Sequence, residues 1–112
     1  MKSPKAFRVE AAWSPAEKKI ARTAFDAAFQ RQCATIAEKA KRMIATASPP
    51  NGIWEVHDTL SSERKKVDLT YDYRYSVLIS VLAGLLREGW LKKSDLAGLS
   101  QDKIEQIEYW SK

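Results

Sequence analysis

The residues in this 112-residue chain that could take part in catalysis lack the partners that catalysis needs. Cys33 is the only cysteine and His57 the only histidine, which excludes an internal disulfide, a cysteine-based zinc cluster and a multi-histidine metal site. Cys33 lies in an apolar pattern, where a cysteine is usually a small inert hydrophobe. His57 and Asp58 are neighbours, which point about 100° apart on a helix and make a poor dyad. We therefore expect no enzyme, no metal and no cofactor.

The segment around Trp54 suits recognition better than catalysis. Trp54, His57 and Asp58 are spaced at i, i+3 and i+4, so they form one patch on a helix. Arg64 lies six residues after Asp58, about 240° around the helix, and cannot pair with it within one copy. Across a two-fold axis between two copies the pair could meet. The periodicity leaves equally open that Trp54 is a core residue and that the others form a solvated face.

The charge distribution raises a nucleic-acid alternative. Residues 1–50 carry ten Lys and Arg against four Asp and Glu, whereas residues 51–112 carry nine against ten, so the net charge of +5 comes from the first half. Tyr71, Tyr73 and Tyr75 alternate with Asp72 and Arg74, and such interleaving can bind nucleic acid by stacking. A lysine-rich solvated helix and tyrosines at the edge of a core explain the same residues. Because no base-reading motif is present, nucleic acid ranks well below a protein partner.

A long first helix must position the patch. Ser14 as N-cap, Pro15 at the first position and Glu17 completing a capping box predict a helix over about 15–47. Its apolar residues advance by threes and fours, as on a coiled-coil face: Phe25, Phe29, Cys33, Ile36, Ala40, Met43 and Ala47. At ~1.5 Å per residue this helix is roughly 50 Å long. A chain of this size cannot cover such a rod on all sides, which predicts an extended homodimer.

Shorter helices follow, and no strand is expected. Apolar spacing predicts helices over about 52–67, 71–88 and 94–110, with Gly89 ending the second of these and Ser100 capping the last part of the third. We predict one all-α domain over residues 13–112 after a flexible tail over residues 1–12. Because the chain has neither a stretch of 18 apolar residues nor a signal peptide at its N-terminus, we expect no membrane insertion and a cytoplasmic location.

Five stretches of the sequence recur together in a known family. They are Trp13–Glu17, Ile53–Arg64, Val67–Leu78, Glu88–Trp90 and Asp102–Lys103. In this order and spacing the chain resembles the fluorescence recovery protein family, known mainly from cyanobacteria. The resemblance implies an all-α homodimer with long helices and a small C-terminal helical head. It further implies a cofactor-free regulator that binds the orange carotenoid protein and speeds its return from the quenching form to the resting form, ending photoprotective energy dissipation at the phycobilisome.

The resemblance also implies roles for individual residues. Four of them are implied to lie at the dimer interface and to matter for activity: Trp54, His57, Asp58 and Arg64. Four others belong to the head that is expected to contact the partner: Ser80, Leu82, Asp102 and Lys103.

The chain departs from the family pattern at several positions, and two of them lose an aromatic ring that bears on function. Thr59 and Ser80 stand where the family usually has phenylalanine. The change at Ser80 removes apolar area whose burial is worth roughly 1.5–3 kcal/mol. A divergent dimer that binds another protein in place of the carotenoid protein is therefore the alternative function.

Overall fold

The computed structural model describes residues 12–112 and contains helices, turns and loops but no strand among them. The helices are α1 Pro15–Thr46, α2 Asn51–Thr70, α3 Leu78–Arg87 and α4 Gln101–Trp110, with a 3-10 turn at Lys93–Leu96. A four-residue turn folds α2 back along the second half of α1, forming a hairpin. The remaining elements form a head on the first half of α1. The molecule measures 63 × 23 × 21 Å and has a radius of gyration of 17.4 Å, against about 13 Å for a compact chain of this length. The all-α prediction is confirmed.

The start of α1 follows the sequence signal. The Ser14 hydroxyl accepts a bond from the Glu17 N–H, and the Glu17 carboxylate accepts one from the Ser14 N–H, both at 3.1 Å. Pro15 occupies the first helical position, where its missing N–H costs nothing. The predicted bounds of α1 are correct within one residue.

Helix α1 presents two different faces to its neighbours. Ala21, Ala24 and Ala28 are buried against the head, because small side chains allow the head backbone to approach closely. Phe25 and Phe29 lie on the adjoining face and contact the segment after α2. The head itself is filled by large aliphatic side chains that are fully buried: Leu78, Leu82, Leu85, Leu96 and Ile107.

The prediction of a helix from residue 71 to residue 88 is wrong at its start. Residues 71–77 form a non-helical strap across α1, and α3 begins at Leu78. Tyr71 and Tyr73 place their rings edge-on to Phe25, at 5.3 and 4.8 Å between ring centroids. Tyr75 contacts Trp13 at 5.9 Å. All three tyrosines pack against α1 or against Trp13 just before it, and this packing takes the place of a continued helix.

The other helices end closer to the residues that the sequence predicts. Gly89 has φ +88°, and the Trp90 N–H donates to the Leu85 carbonyl at 2.9 Å, which is a Schellman end at the predicted glycine. Ser100 caps α4 by accepting a bond from the Lys103 N–H at 3.2 Å. The predicted element over 94–110 is divided into the 3-10 turn and α4, because Gly98 turns the chain with φ +101°. Helix α2 continues three residues beyond the predicted end at residue 67.

A buried ion pair joins the start of α1 to the start of α4. The Glu17 carboxylate lies 3.2 Å from the Lys103 ammonium and accepts a bond from the Ser100 N–H at 2.8 Å. Burial alone would raise the pKa of Glu17, but the N–H groups of Ser14 and Ser100 and the Lys103 ammonium outweigh it and lower the pKa to about 2. Lys103 also donates to the Ala12 carbonyl, so the predicted flexible tail is anchored at its last residue. The remainder of that prediction concerns residues 1–11, outside the described residues.

Replacing Glu17 with Gln is expected to lower the free energy of unfolding by about 3 kcal/mol at neutral pH, because Lys103 stays buried without its counter-charge. The pKa of Glu17 is depressed in the folded state, so this stabilisation is present above pH 4.5 and is lost as pH falls towards 2. The wild type and the variant should therefore converge in acid. Thermal unfolding at equal protein concentration measures both effects. The matched control is Glu38→Gln, which removes an exposed carboxylate paired with Lys41. Equal losses in the two variants would contradict the prediction.

Candidate functional site

An open apolar groove runs along the hairpin between α1 and α2. It has a volume of about 450 Å³. Helix α1 lines it with Phe29, Cys33 and Ile36, and α2 lines it with Leu60, Glu63, Arg64, Val67 and Asp68. Phe29 and Leu60 remain about two-fifths exposed in the single chain. Tyr71 contacts one side of the Phe29 ring, and the exposed remainder of the groove is a surface that burial against another molecule would stabilise.

The patch predicted around Trp54 lies on the same hairpin. Trp54 is 62% exposed, which contradicts the alternative that it is a core residue. Its ring lies 6.5 Å from the His57 ring, nearly perpendicular to it. His57 Nδ1 lies 3.3 Å from an oxygen of Asp58, closer than the helical angle between neighbours suggested. All three side chains are exposed, and the structure therefore brings the three predicted residues together on the first half of α2.

Arg64 is not paired with Asp58. Its Nε donates to both carboxylate oxygens of Asp68, one turn further along α2, at 3.2 Å. Both side chains are well exposed, and an exposed pair of this kind is worth at most about 1 kcal/mol. Arg64 can therefore exchange Asp68 for a carboxylate on another molecule at small cost. His57, Leu60 and Arg64 follow one another at three- and four-residue spacing, so the patch and the groove form one continuous face, the hairpin face.

The head residues predicted to contact a partner divide into two pairs. Ser80 and Asp102 are exposed, in the first turns of α3 and α4 respectively. Leu82 is fully buried in the core, and Lys103 is buried against Glu17. The side chains of Leu82 and Lys103 therefore support the head from inside and are not available to a partner in this conformation.

Sequence reasoning missed Arg31. Its guanidinium extends from α1 to the head, where Nη1 and Nη2 lie 2.8 and 3.3 Å from the two oxygens of Asp95. Nη1 also donates to the Trp90 carbonyl at 2.9 Å. Because 64 residues separate Arg31 from Asp95, no local spacing signals the contact. On the adjoining face, Gln32 accepts a bond from the Tyr71 hydroxyl at 2.8 Å, and burial raises the pKa of Tyr71 to about 12, assisted by the nearby Cys33.

The described part of the chain offers exposed apolar surfaces that could bind another molecule. Within residues 12–112 no three His, Cys, Asp or Glu side chains are grouped so that they could hold a metal ion. Each helix in this range is too short or too polar to cross a membrane. The arrangement can hold another protein through apolar contacts framed by ion pairs.

Comparison with known proteins gives one consistent family. The sequence model described as "photoprotection regulator fluorescence recovery protein" matches residues 13–111. The chain is 36% identical over 98 residues to the fluorescence recovery protein of Synechocystis sp., a match that covers 88% of this chain and 90% of that protein.

Solved structures agree with the sequence comparison. The fluorescence recovery protein of Fremyella diplosiphon is 37% identical, with a TM-score of 0.83 over 89% of this chain and 98% of that one. The structure of the Synechocystis protein is 33% identical, with the same TM-score and the same coverage.

Proposed function

The chain belongs to the fluorescence recovery protein family of photoprotection regulators, and on that premise we propose that it binds the orange carotenoid protein and speeds its return from the quenching form to the resting form. The family match over residues 13–111 carries this proposal. The protein acts by binding alone, without a cofactor and without making or breaking covalent bonds. Its place of action is the cytoplasm.

A homodimer formed through the hairpin face is part of the proposal. Each copy places its exposed Trp54 and Leu60 against the other copy, covering the apolar groove. Asp58 of one copy pairs with Arg64 of the second copy in place of Asp68, which turns a weak exposed pair into a desolvated one. A two-fold axis makes each such contact twice. The 63 Å length of one chain leaves the head outside this interface.

The head supplies the contact with the carotenoid protein through the exposed surface at Ser80 and Asp102. A regulator changes the rate of a conformational transition only through interactions that differ along the path. A dimer that presents two heads can hold the separated domains of the photoreceptor near one another while they dock again. Ser80 is a small polar residue on this surface, so the remaining contacts must supply the affinity that a phenylalanine gives in relatives.

Self-association should depend on Leu60. Replacing Leu60 with Asp places a charge in the groove, so we expect the dimer dissociation constant to rise by about tenfold or more, which corresponds to 1.4 kcal/mol. The matched control is Ser62→Asp, which adds the same charge about 200° away around α2. Light scattering over a dilution series measures the mass, and alkylation of Cys33, which lines the groove, should be faster in the Leu60 variant. Equal dissociation constants for the two variants would argue against this interface.

Dark recovery of the photoactivated orange carotenoid protein tests the function. The wild-type protein should accelerate recovery, and Asp58→Leu should lose most of this effect, because the pair with Arg64 of the second copy is broken. Light scattering on the same samples shows whether the loss follows the dimer. If a well-folded wild-type dimer leaves the recovery rate unchanged, the carotenoid protein is not its partner and the alternative of another protein partner takes its place. Binding to nucleic acid that weakens steeply with added salt would instead favour the nucleic-acid alternative.

A further inference from the structure

The head packs on a face of α1 that consists largely of small side chains. The contact side chains along this face, Ala21, Ala24 and Ala28, are small and alike. Large side chains fix register by fitting between one another, and alanines offer little to fit. Ile20 is a larger side chain of α1 that packs against Gly98 of the head, where an added Cβ would meet its Cδ1. Shape therefore helps to fix the register near Glu17, and along the rest of α1 a displacement of the head, by up to one helical turn of about 5.4 Å, is opposed by other contacts.

Polar contacts stand at both ends of the alanine face. At one end Glu17 bonds to Lys103 and to the Ser100 N–H of α4. At the other end Arg31 bonds to Asp95 of the 3-10 turn. The two α1 residues lie 14 positions apart, roughly 21 Å along the helix, and they carry opposite charges. The head can satisfy both at once in one register and one direction only.

The polar contacts at the two ends of the alanine face differ in how far they are exposed to water. The side chains of Glu17 and Lys103 are 12% and 9% exposed, whereas those of Arg31 and Asp95 are 37% and 19% exposed. Water and salt therefore reach the second pair more easily. The Arg31 end is also nearer to the hairpin, since the groove begins at Phe29.

The geometry at Arg31 uses the whole guanidinium fork. Two nitrogens meet the two oxygens of Asp95, and Nη1 reaches the Trp90 carbonyl as well. Asp95 in turn accepts a bond from the Lys92 N–H at 2.9 Å. The hydrogen bond from Arg31 is the main cause that keeps the pKa of Asp95 below its usual range. One side chain of α1 thus holds the loop from Trp90 to Asp95 at three points, and a lysine, with a single nitrogen, cannot do the same.

We propose that Arg31 is a positioning residue that, through Asp95 and the Trp90 carbonyl, fixes the register of the head on α1 and so the distance between the partner-contact surface and the hairpin face. The activity part of this proposal rests on the proposed function. The positional part does not, because the place of the head can be measured without any partner.

The positional test is a distance measurement between spin labels. The labels are placed at exposed positions of the head and of the hairpin, as Glu105→Cys and Ala45→Cys, in a Cys33→Ser background. Mixing with excess unlabelled protein restricts the measurement to distances within one chain. Arg31→Gln should shift or broaden the distance distribution by several ångströms, up to about one helical turn. The matched control is Lys39→Gln, which removes a cation paired with Glu63 on the hairpin and should leave the distribution unchanged.

The activity test separates binding from acceleration. Recovery of the photoactivated orange carotenoid protein is titrated with each variant after circular dichroism and light scattering confirm fold and mass. Arg31→Gln should lower the maximal acceleration by about threefold or more. Arg31→Lys should restore part of it, and the double variant with Asp95→Asn should be no worse than Arg31→Gln alone, because both changes remove one contact.

The outcomes separate the two proposals. An unchanged distance distribution in Arg31→Gln overturns the positioning role, whatever the activity. A displaced head with normal maximal acceleration supports the positional part and overturns the activity part, because the distance then has no consequence for recovery. If the wild type accelerates nothing, the proposed function fails, and the distance measurement alone decides whether Arg31 positions the head.

Discussion

A 32-residue helix in a chain of 112 residues is the constraint on which the rest of the structure depends. Such a helix is about 48 Å long, and its uninterrupted course from Pro15 to Thr46 exceeds what the other elements can cover. The head covers the first half of α1 and α2 covers the second half, each from one side only. An exposed apolar groove beside α2 is the direct consequence. The elongated shape and the exposed groove therefore have the same origin, in the absence of any helix breaker between Pro15 and the end of α1.

The composition of α1 decides where each neighbour packs. Alanines at positions 21, 24 and 28 let the head approach closely, and phenylalanines at 25 and 29 meet the tyrosines of the strap. Small residues permit a tight contact but leave its register open, whereas aromatic rings fill space but prevent close approach of backbones. On the head side, the charged pairs at the two ends of the alanine face add to the fit of Ile20 against Gly98. This difference explains why Glu17 and Arg31 hold their charges where α1 meets the head.

The sequence predicted the helices that have local signals and missed the contacts that do not. Neighbouring residues in the sequence signal three helix ends, and all three are present: the capping box at Ser14, the glycine end at Gly89 and the Ser100 cap. The aliphatic residues that follow the strap, from Leu78 onward, have helical spacing, and extending that pattern backwards predicts a helix that begins too early, at residue 71. The alternating tyrosines of the strap, with a two-residue period, were the available sign of a non-helical segment. The Arg31 contact joins residues 64 positions apart, so only the folded chain shows it. Likewise, spacing could place Trp54 beside His57 but could not decide between a buried and an exposed ring.

The separation of the two surfaces has a consequence for how such a regulator can work. The hairpin face and the head surface share no residue, and α1 is the one element among residues 12–112 that reaches both over its length. Since α1 has no break, a force or displacement applied to the head reaches the hairpin through the contacts that hold the head on α1. The buried Glu17 pair cannot yield without leaving Lys103 unpaired in the interior, which is costly. The exposed Arg31 end can yield at smaller cost. The strap over residues 71–77 also joins α2 to α3, and it contacts α1 at Phe29 and Gln32. Coupling between the two surfaces can therefore run through the strap as well as through the junction between Ala28 and Cys33, where the head contacts end and the groove begins.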